Sequence, residues 1–425
     1  MSALALALAL APQLGLADER TTRATILGPG DFPQPFVAGE WLKLEIASAV
    51  GRETFGLYVP SQQPTSPAPL LVHFHARQGA HFEVGLYTEF MAEAESRGWY
   101  LVCPDQDVRG VNGTTYGSPA AQRRVEAVLD WAVATLPVDE DRIYAYGFSM
   151  GGGDVLGYAA QHLDPSSVVF AAIAQNAGTL SLTAEYRDSP VAASELVRSF
   201  GVTPGEDRFA YVRASSLDYD PLFDLLHRNA AVNLASTPAQ SWFSTNERAL
   251  IRGFGDDMDL LLEDHDSITG PSNSHRWDTF DFTALCDWFA AQSLVIPQSG
   301  RILAAHDGRY HDVWIHRPNP GEFGRVTFDV SSPNLLRFTE MENVDRLRVD
   351  ALVTGVPATF AAVIEPDAIG FRTLRIDGYG DPPSLVMRAG QVVPPGTAWR
   401  MQGETLILVT PPSASGVETR WFVQD

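Results

Sequence analysis

The segment 141–153, with the sequence DRIYAYGFSMGGG, constrains the fold of this chain more than any other stretch. A short β-rich run alternates over 143–146, the pattern G-x-S-x-G surrounds Ser149, and a helical pattern follows from Gly152 to about Gln161. A serine at the tip of such a turn needs small neighbours, because strand and helix cross there with little room for a Cβ atom. The first helical amide, that of Met150, can donate to an oxyanion. The spacing therefore predicts a nucleophilic Ser149; a glycine-rich loop before a helix is the alternative.

Strands and helices alternate on both sides of this segment. An alternating pair of runs around Gly51 predicts a hairpin, and Ser118 followed by Pro119 predicts a helix start. Further strands are predicted at 70–75, 100–103, 168–174 and 238–244, and helices at 85–98, 118–135 and 191–199. This alternation predicts an α/β fold, with a mostly parallel sheet and helices on both faces.

The chain of 425 residues suggests two domains. The α/β pattern extends over 18–298, with a cap-like insertion at 179–236 between two strands. From 299 to 425 the chain has short alternating runs separated by turn residues, without a helical pattern. This second region is predicted to be an all-β, sandwich-like domain.

Charge and cysteine content exclude several classes of partner. The net charge is −22, and no basic surface is expected that could neutralise nucleic-acid phosphates or bind an anionic membrane. Cys103 and Cys286 each lie in an apolar stretch, so two buried thiols are expected, with one disulfide as the alternative. Residues 1–17 are apolar and end in small residues, which predicts a signal peptide and a secreted or periplasmic protein, although a basic start is missing. No other stretch is predicted to span a membrane.

A serine nucleophile needs a base, and seven histidines follow Ser149 in the chain. His275 lies in a loop between the last apolar run and the last helix of the α/β region, so it is the predicted base. The strand and loop at 70–79 can supply a second oxyanion amide, which is predicted to be that of Ala76, with that of Arg77 as the alternative.

A metal site is the alternative for the histidines of this strand and loop. His73 and His75, with His81 nearby, have ligand-like spacing. The oxyanion role of the loop backbone is the preferred interpretation of this segment, so no metal is predicted.

The sequences LLVHFHA, DRIYAYGFSMGGG, TPAQSWFSTNE and SNSHRW together resemble the α/β-hydrolase fold. Within this fold the chain resembles esterases related to polyhydroxybutyrate depolymerases, feruloyl esterases and small carboxylesterases, over about half its length. The resemblance implies hydrolysis of a small-molecule or polymeric ester through an acyl-enzyme intermediate, without a cofactor. The region 299–425 resembles C-terminal domains appended to some secreted bacterial hydrolases.

The same resemblance implies a third catalytic group, an acid that follows the strand after the inserted region. The histidine then follows the next strand, so the acid must precede His275 by enough residues for a helix and a strand. Glu247 leaves 27 residues before His275 and is the predicted acid, although an aspartate is usual at this place. Asp256 and Asp257 remain the alternatives.

Two other functions compete with the esterase. Serine peptidases similar to prolyl oligopeptidases have comparable serine turns, but they usually carry a large β-propeller, for which there is no room before Leu70. A binding protein that kept the fold and lost activity is the non-enzymatic alternative.

Overall fold

In the computed structural model, the described residues are 38–62, 64, 66–106, 113–176, 178–215, 277, 281–332, 334–365, 373–410 and 419–425, and the backbone of 231–236 and 260–264. The described residues form two compact units. The first ends at Val295 and the second runs from Ile296 to the C-terminus, with 161–167 also assigned to the second. The division thus lies three residues before the predicted boundary at 298.

The first unit contains an eight-stranded sheet in the order β1-β2-β4-β3-β5-β6-β7-β8. Its strands are β1 Trp41–Ser48, β2 Gly51–Tyr58, β3 Ala68–Phe74, β4 Tyr100–Pro104, β5 Val138–Phe148, β6 Ala172–Asn176, β7 Ala231–Ser236 and β8 Leu260–Asp264. β1 and β2 form the predicted antiparallel hairpin, β2 is antiparallel to β4, and all other neighbours are parallel. This order and these directions fit the α/β-hydrolase fold that the resemblance implies.

Helices connect the strands of this sheet. They are α1 Glu83–Tyr87, α2 Phe90–Arg97, α3 Pro119–Thr135, α4 Met150–Gln161, α5 Leu182–Asp188, α6 Pro190–Phe200, α7 Arg208–Val212 and α8 Phe282–Ala290. α3 begins as predicted, because the Ser118 side chain accepts a hydrogen bond from the Ala121 N–H and Pro119 takes the first helical position. β3 and β4 are buried along their whole length, as parallel strands covered on both faces should be.

Several elements differ from their predicted bounds. The helix predicted at 85–98 is two helices, because Thr88 is extended and its Oγ1 donates to the Val84 carbonyl. β6 begins at Ala172 rather than at 168. The strand after the insertion is β7, which occupies the last six residues of the predicted insertion, whereas the strand predicted at 238–244 lies outside the described residues. The insertion therefore contributes α5, α6 and α7.

The second unit consists of strands and one short helix among its described residues. A seven-stranded sheet has the order β18-β17-β21-β15-β13-β12-β9, and a six-stranded sheet has the order β10-β11-β14-β16-β20-β19. The strands are β9 Ser299–Ala304, β10 Gly308–Tyr310, β11 Val313–His316, β12 Gly324–Ser332, β13 Leu335–Glu342, β14 Arg346–Asp350, β15 Phe360–Ile364, β16 Thr373–Asp377, β17 Leu385–Arg388, β18 Gln391–Val392, β19 Trp399–Gln402, β20 Thr405–Val409 and β21 Thr419–Gln424.

The alternating runs of the second unit become strands with one buried face. In β12, Val326, Phe328 and Val330 are buried, as their alternation predicts. The exception to the predicted pattern is α9, the one-turn helix Ala351–Thr354. No helical pattern was predicted in this region, but the Asp350 side chain accepts from the Leu352 and Val353 N–H groups and starts a helical turn.

Cys103 and Cys286 are free and buried in the first unit, as expected. Among the described residues, no helix is both long and apolar enough to span a membrane.

Candidate active site

Ser149 lies at the carboxyl end of β5, the strand between β3 and β6, and directly before α4. Its φ of 57° is in the left-handed region, which costs a residue with a side chain about 1–3 kcal/mol. Hydrogen bonds hold it there: its N–H donates to the Asn176 carbonyl at 2.8 Å, and its carbonyl accepts from the Gly152 and Thr179 N–H groups at 3.0 and 3.1 Å. Ser149 therefore has the backbone conformation that the sequence pattern predicts.

The glycines beside Ser149 are required by close backbone contacts. A Cβ atom at Gly147 would lie 2.0 Å from the Gly151 carbonyl oxygen. A Cβ atom at Gly151 would lie 2.2 Å from the Phe74 oxygen and 2.7 Å from the His75 oxygen. The first turn of α4 thus packs directly on the end of β3. Residues 147–153 are called the serine turn from here on.

The serine turn presents a backbone amide as predicted. The first N–H groups of a helix have no intrahelical acceptor, and Met150 is the first residue of α4. No acceptor for the Met150 N–H occurs in the described part of the chain. The positive end of the helix dipole lies at the same place, so this amide can stabilise a developing negative charge.

The second predicted amide lies in loop 75–79, which follows β3. The Ala76 N–H donates to Glu83 Oε2 at 2.9 Å. The Ala76 carbonyl accepts from the Gly79 N–H at 2.9 Å and lies 2.8 Å from His75 Nδ1. Of the two amides that the sequence allowed, that of Ala76 therefore has a carboxylate partner, whereas the Arg77 N–H meets no acceptor among the described residues.

An ion pair joins loop 75–79 to helix α6. Arg77 donates from Nε to Glu195 Oε2 at 2.7 Å and from Nη2 to Glu195 Oε1 at 2.8 Å. Gln78 Nε2 and the Tyr116 hydroxyl also approach Glu195, both at 3.4 Å. The Glu195 side chain is buried, and the hydrogen bond to it raises the pKa of Arg77. The inserted region thus holds the side chains of the loop.

The three histidines near this loop have separate surroundings. His73 stacks on Tyr146 and Trp277, and burial lowers its pKa to about 3. His75 Nε2 lies 2.8 Å from the Asp105 carbonyl oxygen, and His81 Nδ1 lies 2.8 Å from the Asp105 carboxylate. The described residues contain no group of three or more metal-binding side chains.

Trp277 is the described residue nearest in sequence to the predicted base. Its ring packs on Phe148 with centroids 4.3 Å apart and stacks on Tyr87 at 5.2 Å. Its carbonyl accepts from Asn176 Nδ2 at 3.4 Å. Trp277 therefore contacts the residue immediately before Ser149. The predicted base His275, the predicted acid Glu247 and the alternatives Asp256 and Asp257 lie outside the described residues.

Three acidic residues of this region were not predicted from the sequence. Glu83 and Glu195 contact loop 75–79, and no spacing relates either of them to that loop. Asp154 is buried one turn into α4, and burial raises its pKa well above the usual value, although the Gly117 N–H donates to it. Asp154 is the single acidic residue in the otherwise apolar pattern of this helix, and this pattern could have singled it out from the sequence.

No known family model and no curated protein matches this sequence. Solved structures with a similar fold include an S-formylglutathione hydrolase from Agrobacterium tumefaciens, with a TM-score of 0.45, 18% identity, and coverage of 59% of this chain and 94% of that chain. Esterase B from Lactobacillus rhamnosis has a TM-score of 0.45 and 17% identity over 68% of this chain and 94% of that chain.

Proposed function

We propose that this chain is a serine hydrolase that cleaves carboxylic esters through an acyl-enzyme intermediate. The observation that supports this most is the left-handed conformation of Ser149 between a parallel strand and the first turn of α4. Such a turn exposes the serine oxygen beside a backbone amide at the positive end of a helix. The chemistry requires no cofactor.

The proposed reaction assigns a role to each group. Ser149 Oγ attacks the acyl carbon while His275 accepts its proton, and the tetrahedral oxyanion is stabilised by two backbone amides. His275 then returns the proton to the leaving alcohol, and the acyl group stays on Ser149. A water molecule, deprotonated by His275, attacks the acyl-enzyme, the bond from the acyl carbon to Ser149 Oγ breaks, and His275 returns the proton to Oγ as the acid is released. Glu247 orients His275, with Asp256 and Asp257 as alternatives.

The position of Trp277 supports His275 as the base. Two residues of chain span at most about 7 Å, and Trp277 packs against Phe148, the neighbour of Ser149. A histidine two positions before Trp277 is thus within reach of the serine turn.

Of the oxyanion amides, we assign Met150 and, in place of Ala76, Arg77. The Ala76 N–H is engaged by Glu83, whereas Arg77 belongs to the same loop and has no described acceptor for its N–H. Gly151 supports this pairing, because its contact with the Phe74 and His75 carbonyls brings the start of α4 to the start of loop 75–79. Each such donor is worth about 3 kcal/mol in comparable sites.

A comparison of substrates tests this function. The full chain is incubated with p-nitrophenyl acetate and butyrate, with an aminoacyl-nitroanilide, and with a fluorophosphonate probe. Labelling with ester turnover is the expected result. Labelling with amide turnover would favour a peptidase, and absence of both would favour a binding protein. Aryl, short-chain and polymeric esters then define the substrate class.

The triad acid is tested by comparing Glu247→Gln, Asp256→Asn and Asp257→Asn. Loss of the orienting acid of a serine protease triad lowers kcat about 10⁴-fold. We expect this loss for Glu247→Gln alone. A loss confined to one of the aspartate variants would assign the role to that aspartate.

A further inference from the structure

The direction of the Arg77 N–H depends on the two peptide groups that flank Ala76. A peptide group is planar and trans, so the Arg77 N–H points opposite to the Ala76 carbonyl. The Gly79 N–H and the His75 ring hold that carbonyl, both at short distance. On the other side of the Ala76 Cα, Glu83 holds the Ala76 N–H at 2.9 Å. Together these contacts restrict both backbone torsions of Ala76, and thereby the orientation of the Arg77 N–H.

Glu83 occupies a confined position over the same loop. It is only 6% exposed, although it begins helix α1. A Cβ atom at Gly79 would lie 2.2 Å from Glu83 Oε1 and 2.6 Å from Oε2, so the carboxylate fills the space that a side chain at position 79 would need. The carboxylate is therefore packed against loop 75–79 and is not a solvated charge at a helix start.

The surroundings of Glu83 include titratable groups from three elements. These are His75 at the end of β3, Tyr87 on α1 and Cys103 on β4. Burial raises the pKa of Glu83 to about 7, and His75 and the Ala76 N–H oppose this shift. His75 in turn lies between Glu83 and Asp105, whose carboxylate binds His81. The Glu83 carboxyl group thus changes its charge in the pH range where a serine esterase works.

We propose that Glu83 is a positioning residue for the Arg77 amide, and that its carboxylate form is the active one. The proposal rests on the esterase function proposed above. An ionised acceptor forms a stronger and shorter hydrogen bond than a neutral one, so protonation of Glu83 loosens the Ala76 N–H and with it the loop. Because the oxyanion forms in both acylation and deacylation, a loosened amide lowers kcat more than it changes KM.

The buried Glu83 carboxylate, when ionised, lowers the stability of the folded protein. The pKa of Glu83 is raised on folding from 4.5 to about 7, so the protonated form is favoured in the folded state. The stability from this group is fully present below pH 4.5, and it is lost as the pH rises through 7. Glu83 is therefore expected to serve activity at the expense of stability at pH 8.

Glu83→Gln tests the proposal, with Glu89→Gln as the matched control. Glu89 is an exposed carboxylate of the same segment. At pH 8 we expect Glu83→Gln to lower kcat for p-nitrophenyl acetate about tenfold, with KM within about twofold, because the donor remains but is less well aimed. On the acid side, log kcat of the wild type should fall with a slope steeper than one near the pKa of Glu83, because up to tenfold is lost there in addition to the loss from the catalytic base, and the variant should show a slope of one.

Thermal unfolding distinguishes the proposed role of Glu83 from a purely structural one, because loss of a purely structural residue would lower the Tm. Glu83→Gln should raise the Tm at pH 8, and the difference from the wild type should disappear towards pH 5. Glu89→Gln should leave kcat, the slope and the Tm unchanged. A variant that is less stable than the wild type, or that fails to fold, contradicts the proposal.

Gly79→Ala provides a second variant that leaves Glu83 in the chain. Gly79 does not have a positive φ, so alanine fits its backbone, but the new Cβ atom displaces the Glu83 carboxylate. We expect a similar loss of kcat, and little further loss when the substitution is combined with Glu83→Gln. Additive losses would show that the two residues act separately, and would overturn the proposal.

Different results would contradict the esterase function and the role of Glu83. A wild-type chain that does not turn over any ester overturns the esterase function, and the role of Glu83 with it. A wild type that is active, combined with a Glu83→Gln variant of unchanged kcat and unchanged acid slope, overturns the role of Glu83 alone.

Discussion

The serine turn and loop 75–79 each supply one amide to the proposed oxyanion site, but they are held by different means. The serine turn is shaped by the absence of side chains, because its glycines pack on backbone carbonyls of β3 and of the turn itself. Loop 75–79 is held by the presence of side chains, namely the Glu83 carboxylate on one side and the Glu195 ion pair on the other. The first amide is thus set by sterics and the second by electrostatics, and only the second should depend on pH and on charge.

The largest effect is expected for Ser149→Ala, which removes the nucleophile that both amides serve. Loss of a catalytic serine lowers kcat about 10⁶-fold in a protease of this mechanism. We expect ester turnover and fluorophosphonate labelling to disappear while circular dichroism and Tm stay close to those of the wild type. Ser194→Ala, at an exposed helical serine, is the control. Retained labelling at another serine would contradict the assignment of both regions.

Gly151→Ala tests the steric part of the comparison. The added Cβ atom meets two backbone carbonyls that cannot rotate away, so α4 must move from β3 by about 1 Å. We expect kcat to fall about 100-fold. The free energy of unfolding should fall by about 1–3 kcal/mol, measured by urea denaturation.

The control for this substitution is Gly205→Ala, where a Cβ atom would meet only Thr203 Oγ1 at 3.8 Å. The loss in Gly151→Ala should be the same at every pH, since no charge is altered. A pH-dependent loss would show that the serine turn also relies on a titrating group.

Glu195→Gln tests the electrostatic part from the side of the inserted region. The amide keeps one oxygen for Arg77, but its NH₂ group faces a guanidinium N–H, so one of the two hydrogen bonds is lost. We expect kcat for p-nitrophenyl acetate to fall about fivefold to tenfold with a smaller change in KM, because the loop and not the acyl pocket is loosened.

Asp188→Asn, which breaks the exposed ion pair with Arg187, should leave kcat unchanged and serves as the control. An unaltered kcat in Glu195→Gln would mean that the backbone contacts of loop 75–79 are sufficient without the ion pair.

Asp154→Asn should have the smallest effect. This carboxyl group is buried in α4, and burial raises its pKa well above the usual value, which favours the neutral form that an amide of the same size resembles. We expect kcat within about twofold of the wild type from pH 6 to 8 and an unchanged acid slope. A tenfold loss would show that the serine turn needs a side-chain charge as loop 75–79 does, and the comparison would fail.

The order of the elements could be predicted from the sequence where it depends on residues that are close together in the chain. Alternation identified the hairpin β1–β2 and part of the strands of the second unit, and α4 begins two residues before its predicted start at Gly152. β7, at Ala231–Ser236, was not predicted, because its place in the sheet depends on pairing with β6 and not on a local pattern.

By itself, the sequence determined the conformation of Ser149 and the place of the Met150 amide, because both follow from glycines within a few positions and from the strand and helix that flank them. Only the tertiary structure decided which amide of loop 75–79 lacks an acceptor among the described residues and which carboxylates hold the loop. Glu83 is seven residues from Ala76, and Glu195 is 118 residues from Arg77. No local pattern links such pairs, since their contact depends on how α1 and α6 pack beside the end of β3.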